Sequence, residues 1–103
     1  MNAYTYYKVG RYKAAIVAFK NAMKRYPDSP RTEEMMYYMT VSSYRLAANS
    51  VESKQVDRYL AMLDAYYSFV AEYPESKHIK ELDRMAKEAR TFLDKKENTE
   101  EAQ

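Results

Sequence analysis

Apolar residues recur at helical spacing along most of this chain, and the breaks in that rhythm divide it into five segments. Tyr12, Ala15, Phe19, Ala22, Met23 and Tyr26 fall at i, i+3, i+4 and i+7, which predicts one buried face of a helix over Arg11–Tyr26. Lys13, Lys20 and Lys24 lie on its opposite side. Upstream, Asn2–Val9 reads as a short helix with no cap before it, ending at Gly10, whose tolerance of positive φ suits a tight turn. Downstream, Pro27 ends the helix because the residue before a proline is pushed out of the α region. Ser29 is a candidate cap for the next helix, with Pro30 at its first position and Glu33 and Glu34 near the positive end of its dipole. This third helix runs to about Ala48. Met36, Met39, Ser43 and Ala47 lie on one of its faces and Tyr37, Val41 and Tyr44 on another, the pattern of a helix held between neighbours.

The stretch "ANSVESKQ", Ala48–Gln55, is polar and unperiodic and reads as a loop. From about Val56 to Tyr73 a stripe of Tyr59, Met62, Leu63, Tyr66, Phe69, Val70 and Tyr73 is joined by a second one of Leu60, Tyr67 and Ala71, so this helix is expected to be the most deeply buried. Asp57, Asp64, Ser68 and Glu72 mark its solvent side. After Pro74 and a second candidate cap at Ser76, the last helix carries Ile79, Leu82, Ala86, Ala89 and Leu93 on one face, with Met85 and Phe92 alongside. Lys80, Asp83, Lys87 and Arg90 occupy its outer face, the one-sided pattern of a terminal capping helix. "DKKENTEEAQ" from Asp94 has no apolar contacts to offer and is expected to be disordered.

Composition narrows the fold class and the chemistry. One glycine and three prolines in 103 residues are too few for a sheet with tight hairpins, so the chain is expected to be all-α and a single domain. Without cysteine there are no disulfides or thiolate metal sites, and the single histidine, His78, leaves no room for a His-based metal cluster or a catalytic triad and reads as an ordinary exposed residue. Asp57, Asp64, Glu33 and Glu34 sit on predicted outer faces with nothing to shift their pKa, so no acid–base pair is indicated. No catalytic residue, cofactor or metal is therefore assigned. No apolar run reaches the roughly 18 residues needed to cross a bilayer, so the chain as given is expected to be soluble. The net charge of +2 is unevenly spread: the six bases before Tyr26 (Lys8, Arg11, Lys13, Lys20, Lys24 and Arg25) meet no acid, whereas acids outnumber bases in the remainder.

The chain also repeats itself. "KRYPDSP" (Lys24–Pro30) returns as "AEYPESK" (Ala71–Lys77), and aligning Gly10–Ser29 with Asp57–Ser76 pairs Tyr12 with Tyr59, Phe19 with Tyr66, Met23 with Val70 and Tyr26-Pro27 with Tyr73-Pro74. Tyr6, Gly10, Tyr12, Ala15, Phe19, Ala22 and Pro27 fit the tetratricopeptide pattern, a helix–turn–helix unit of about 34 residues. The second copy replaces Ala15 and Ala22 by Met62 and Phe69 and inserts about ten residues around Asn49–Gln55. The expected architecture is a tetratricopeptide-like solenoid, a right-handed stack of about five helices in antiparallel pairs over residues 1–93. Its repeats fall at about 2–29 and 30–76, with the insertion at 48–55, a capping helix at 77–93 and a polar tail at 94–103.

The wording "YYKVGRYKAAIVAFKNAMKRYPDSPRTEEMMYYMTVSSYRLA" resembles the late repeats of the BamD family, lipoproteins of the machine that assembles outer-membrane β-barrels. The resemblance covers Ala3–Ala47 well and Val56–Leu93 more weakly. It implies a C-terminal fragment, with the earlier repeats and the lipid-bearing cysteine upstream of Met1, and a periplasmic location at the outer membrane through that lipid. It also implies a protein-binding scaffold whose partners are a POTRA domain of the barrel-inserting subunit and, in some bacteria, accessory lipoproteins. In one position the chain departs from the family: Ala18 stands where those proteins often carry an arginine that can pair with an acid on the partner, a role that Lys20 or Lys24 on the neighbouring face is left to take.

Candidate partner residues follow from both lines. Arg11, Lys13, Lys20 and Lys24 form a basic helix face, to be read either as solvated or as a docking surface for an acidic partner. Tyr12, Tyr26, Tyr59, Tyr66 and Tyr73 are expected in the core or at its boundary, whereas Tyr4, Tyr7, Tyr38 and Tyr67 lie off the main stripes and are candidates for contacts with a partner or with an upstream repeat. A nucleic-acid binder would use the basic half and its tyrosines, but the acidic second half argues against it. The alternative within the scaffold class is another periplasmic tetratricopeptide adaptor of the cell envelope.

Overall fold

A computed structural model describes residues 1–101 and has five helices in chain order: α1 (Ala3–Lys8), α2 (Tyr12–Arg25), α3 (Thr32–Ala48), α4 (Glu52–Glu72) and α5 (Ile79–Glu101). Consecutive helices pack against each other, and α3 additionally touches α1 and α5, so α1, α3 and α5 make one layer and α2 and α4 the other. The shortest dimension, 19 Å of a 49 × 30 × 19 Å body, is that of two helix layers. This is the all-α, tetratricopeptide-like arrangement that the periodicity predicts.

The repeated phrase is one turn built twice. Tyr26 (φ −129°, ψ 66°) and Tyr73 (φ −130°, ψ 64°) end α2 and α4 with the same backbone geometry. In each turn the serine N–H bonds the tyrosine carbonyl at 3.1 Å, and the serine hydroxyl accepts from the N–H two residues on, Arg31 or His78, also at 3.1 Å. Ser29 and Ser76 thus cap a turn preceding each helix, which begins at Thr32 and Ile79 rather than next to the serine. Proline fixes the exit, and the serine relieves a backbone donor that has no helical partner.

Gly10 has φ +81°, the only positive φ among the described residues, and its N–H and that of Arg11 close α1 onto the carbonyls of Tyr7 and Tyr6. A Cβ there would meet nothing within 4 Å, so Gly10→Ala is expected to cost only the left-handed backbone penalty, about 1–2 kcal/mol. Chemical denaturation should show that loss with an unchanged m-value. At the other end of α1, Asn2 does supply a cap, its Oδ1 accepting from the Thr5 N–H at 2.9 Å.

Two clusters form the core. The larger joins Val41 and Ala47 of α3, Tyr59, Met62, Leu63, Tyr66 and Phe69 of α4, and Leu82, Met85, Ala86 and Ala89 of α5. The smaller has Ala15 and Phe19 of α2 with Met39 of α3. Met62 and Phe69, which replace the small residues of the first copy, are both fully buried.

Several expectations are corrected. The stretch Ala48–Gln55 is not a loop beyond Asn49–Val51, because α4 already starts at Glu52. Its polar residues have partners: Gln55 donates to the Ala47 carbonyl at 3.1 Å and Arg58 to Ser50 Oγ at 2.6 Å, satisfying the end of α3. The tail from Asp94 continues α5 to Glu101, with Lys96 3.0 Å from Glu52; Ala102 and Gln103, the end of that tail, lie outside the described residues. Leu60, Tyr67 and Ala71 are exposed, so α4 buries one stripe and not two. Tyr26, expected in the core or at its boundary, is exposed as well, with the Arg25 guanidinium over its ring.

Candidate protein-binding surfaces

α1 and α3 share a row of rings. Tyr7 packs on Tyr38 at 4.9 Å and on Tyr12 at 6.2 Å, Tyr4 stands edge-on to Tyr38 at 5.1 Å, and Tyr38 continues to Phe19 at 6.1 Å and Tyr37 at 4.9 Å. Such offset and edge-to-face pairs place each ring's positive edge against a neighbour's negative face. The Arg45 guanidinium lies over Tyr7 and Tyr12 and donates to the Tyr12 hydroxyl at 3.3 Å, and Lys8 sits over Tyr4. Tyr7 and Tyr38 are half-buried, and burial, followed by the nearby Tyr4 hydroxyl, pushes the Tyr38 phenol up. Of these three candidates only Tyr4, 46% exposed, leaves most of an edge to solvent. Tyr67 stands apart on α4, exposed, with Arg90 3.4 Å from its hydroxyl.

The row ends in a side-chain ladder between α3 and α5. Tyr37 stacks on the His78 ring at 3.7 Å and donates to Glu81 at 2.5 Å, Tyr44 donates to Glu88 at 2.5 Å, and His78 Nε2 lies 2.6 Å from Glu34 Oε1. Each rung joins residues 44 apart, so the two helices run parallel in fixed register. Ser76 Oγ adds a bond of 2.8 Å to Glu33 Oε2. His78, Glu33 and Glu34 are therefore half-buried, rather than outer-face residues. They bring three metal-ligating atoms within 4.8 Å of one another, but hydrogen bonds already engage all three, and the group serves as a clamp at the start of both helices. Sequence reasoning missed this clamp, because the signal is a constant spacing between two helices, visible only once their register is known.

The basic face lies on α2. Arg11, Lys13, Lys20 and Lys24 are all exposed, and Val17, 55% exposed, sits between Lys13 and Lys20 on the same side of the helix. A groove of ≈ 830 Å³ runs beside them, with Tyr6, Tyr12, Val17 and Leu46 as apolar lining and Arg11, Lys13 and Arg58 as its only charged residues. Ala18 also lines it. Lys20 borders a second cleft, ≈ 340 Å³, between α2 and α4 over Met39, Ser43 and Leu46 of α3, where it shares the lining with Asp64. Lys24 lies with Lys20 on a third, beside Met23 and Met39. The structure thus groups the four bases around α2 and the tyrosines Tyr4, Tyr7 and Tyr38 on α1 and α3, and it leaves Tyr67 with neither group.

Helices packed in adjacent pairs in two layers define a helical-repeat protein. The YfiO family of outer membrane lipoproteins matches residues 1–99, nearly the full chain, and the chain belongs to that family. No curated protein matches it. Among the described residues, no helix is long and apolar enough to cross a membrane.

Proposed function

We propose that this chain is a non-catalytic scaffold, the C-terminal tetratricopeptide repeats of a BamD-like component of the outer-membrane β-barrel assembly machine. In this reading it works on the periplasmic side of the membrane, held there by a lipid on an upstream segment. Its α2 face receives an acidic surface of a protein partner, a POTRA domain of the barrel-inserting subunit, and accessory lipoproteins join elsewhere. The observation that carries this is the groove beside α2: Arg11, Lys13 and Arg58 line it with no carboxylate, and the exposed Val17 on its wall stands between Lys13 and Lys20 of the same helix face. Charge steers an acidic partner and sets register, while a desolvated apolar residue supplies the slow dissociation that charges alone do not. The missing arginine at Ala18 fits the same scheme, because Arg11, Lys13 and Arg58 surround the groove that Ala18 lines.

The test is a pull-down of the cognate barrel-inserting subunit with wild type and with a Lys13/Lys20/Lys24→Glu variant. The triple variant should lose binding by tenfold or more, with its helical spectrum and melting temperature kept, and wild-type binding should weaken with salt. Unchanged capture by a folded triple variant removes α2 from the interface.

A further inference from the structure

α5 carries a second cationic stripe of a different character. Lys80, Arg84 and Lys87 follow at i, i+4 and i+7 and are all exposed, so they lie on one side of the helix over about 10 Å. The carboxylates of α5 beside them, Glu81, Asp83 and Glu88, are exposed and keep their charge, but hydrogen bonds hold them toward the neighbouring helices and out of ion pairs with the stripe. Glu81 accepts from Tyr37, Glu88 from Tyr44, and Asp83 from Tyr66, each phenol reaching across from α3 or α4. Glu34 and Glu33, on the helix alongside, are engaged by His78 and Ser76. Among the described residues the only carboxylate–cation pairs within 4.0 Å are His78 with Glu34 and Lys96 with Glu52, so none of the three stripe cations has an ion-pair partner. Asp94, two turns beyond Lys87, bounds the stripe at its C-terminal end.

The stripe also lacks an apolar component. Among the described residues the exposed large hydrophobic ones are Met1, Tyr4, Val9, Val17, Tyr26, Val51, Leu60 and Tyr67, and none of these is on α5. A protein interface draws its binding energy from a desolvated apolar or aromatic centre, which α2 has in Val17 and α5 has not. A row of well-hydrated cations with nothing to bury matches instead a flat array of phosphates, where each Lys or Arg adds to the attraction without leaving water. In a family of outer membrane lipoproteins such a surface is close by, so even weak attraction acts at high effective concentration.

We propose that the outer face of α5, through Lys80, Arg84 and Lys87, rests on anionic phospholipid headgroups and sets how the helical stack is oriented on the membrane. The α2 surface, on the other layer, is then left to the protein partner. This proposal is independent of the identity of that partner.

Co-sedimentation of the 103-residue chain with vesicles containing phosphatidylglycerol, against vesicles of phosphatidylcholine alone, tests it. Binding is expected to require phosphatidylglycerol, to fall as salt is raised past roughly 0.15 M, and to drop at least fivefold in Lys80/Arg84/Lys87→Glu. A Lys80/Arg84/Lys87→Gln variant, with the same helical spectrum as wild type, should show an intermediate loss, which separates the charge effect from a folding defect. The Lys13/Lys20/Lys24→Glu variant, with the same change in net charge, should keep most of the binding. Equal loss in the α2 and α5 variants would show attraction of the whole molecule and overturn the proposal. So would the absence of binding by wild type, including the case in which the α5 variant instead loses capture of a protein.

Discussion

Phe69→Ala is expected to cost about 3–5 kcal/mol, a large part of the roughly 5–15 kcal/mol that holds a domain of this size together. Phe69 has no exposed surface, packs against Tyr73 at 5.4 Å and has His78 edge-on at 6.5 Å. It therefore sits where α4 ends, the second Tyr-Pro turn begins and the clamp to α3 is held. Truncation to alanine would leave a cavity that the walls cannot close, because α4 and the turn that follows it are fixed by backbone bonds on both sides. Urea denaturation followed by helical signal should show the midpoint falling by a fifth or more. Tyr67→Ala, two residues away and on the opposite, exposed side of the helix, should stay within about 0.5 kcal/mol of wild type. Similar losses for the two would mean that α4 faces the other way.

The second large effect is alkaline unfolding. Burial, and after it the hydrogen bond to the Glu81 carboxylate, pushes the Tyr37 phenol well above its usual range, and burial with the bond to Glu88 pushes Tyr44 up to about 12. Tyr66 is raised in the same way by burial and Asp83, Tyr59 by burial and Glu88, and Tyr73 by burial, then Glu72 and Glu33. A raised folded pKa means that the native state holds the phenolic proton more tightly than the unfolded chain does. The stabilisation is complete below about pH 10, where phenols are neutral in both states, and disappears as the pH climbs through the folded values toward 12. Helical signal should therefore be flat from neutral pH to about 10 and then fall cooperatively, together with the late rise of phenolate absorbance. Titration of all phenols near pH 10 with the helices intact would contradict the ladder. Tyr44→Phe should make the alkaline loss of stability shallower with pH, since one fewer phenol gives up its proton on unfolding.

How much of this was legible beforehand depended on whether the cause was local. The five helices, the Gly10 turn and both Tyr-Pro-x-Ser turns follow from spacing, from one positive φ and from proline's missing donor, all of which act within a few residues. The stretch from Glu52 to Gln55 misled because its polarity hides good helix formers. Propensity, and the bonds from Gln55 and Arg58 back to the end of α3, outweigh the absence of an apolar rhythm. The tail was misread for the same reason, as Lys96 gives α5 a charged neighbour in Glu52 where no apolar one exists. Leu60 and Tyr67 show the opposite error: their spacing matches a buried face, yet no helix covers it. The side-chain ladder could not be read at all. A carboxylate on α5 looks like any solvent-facing acid until the parallel register sets it opposite a tyrosine 44 residues earlier. For the α2 face, the bases were plain in the sequence, but the exposed Val17 and the contribution of Arg58 needed the neighbouring helix in place.

The two cores are unequal, and that inequality falls on the surface proposed for docking. Eleven buried residues tie α3, α4 and α5 together, whereas Ala15, Phe19 and Met39 alone form the buried centre beneath α1 and α2. The first pair leans mainly on α3, with Ala65 of α4 packed against its small cluster, so its loosening would pass chiefly through α3 and leave most of the rest standing. In a chain of nearest-neighbour contacts, free energy is distributed unit by unit, and the unit with the smallest core opens at the lowest cost. The α2 surface thus rides on the segment with the smaller buried cluster, and a partner that grips it would brace that segment as it binds. Part of the free energy of recognition would then be used in ordering the first helical pair, making occupancy of that face a determinant of how rigid the stack is.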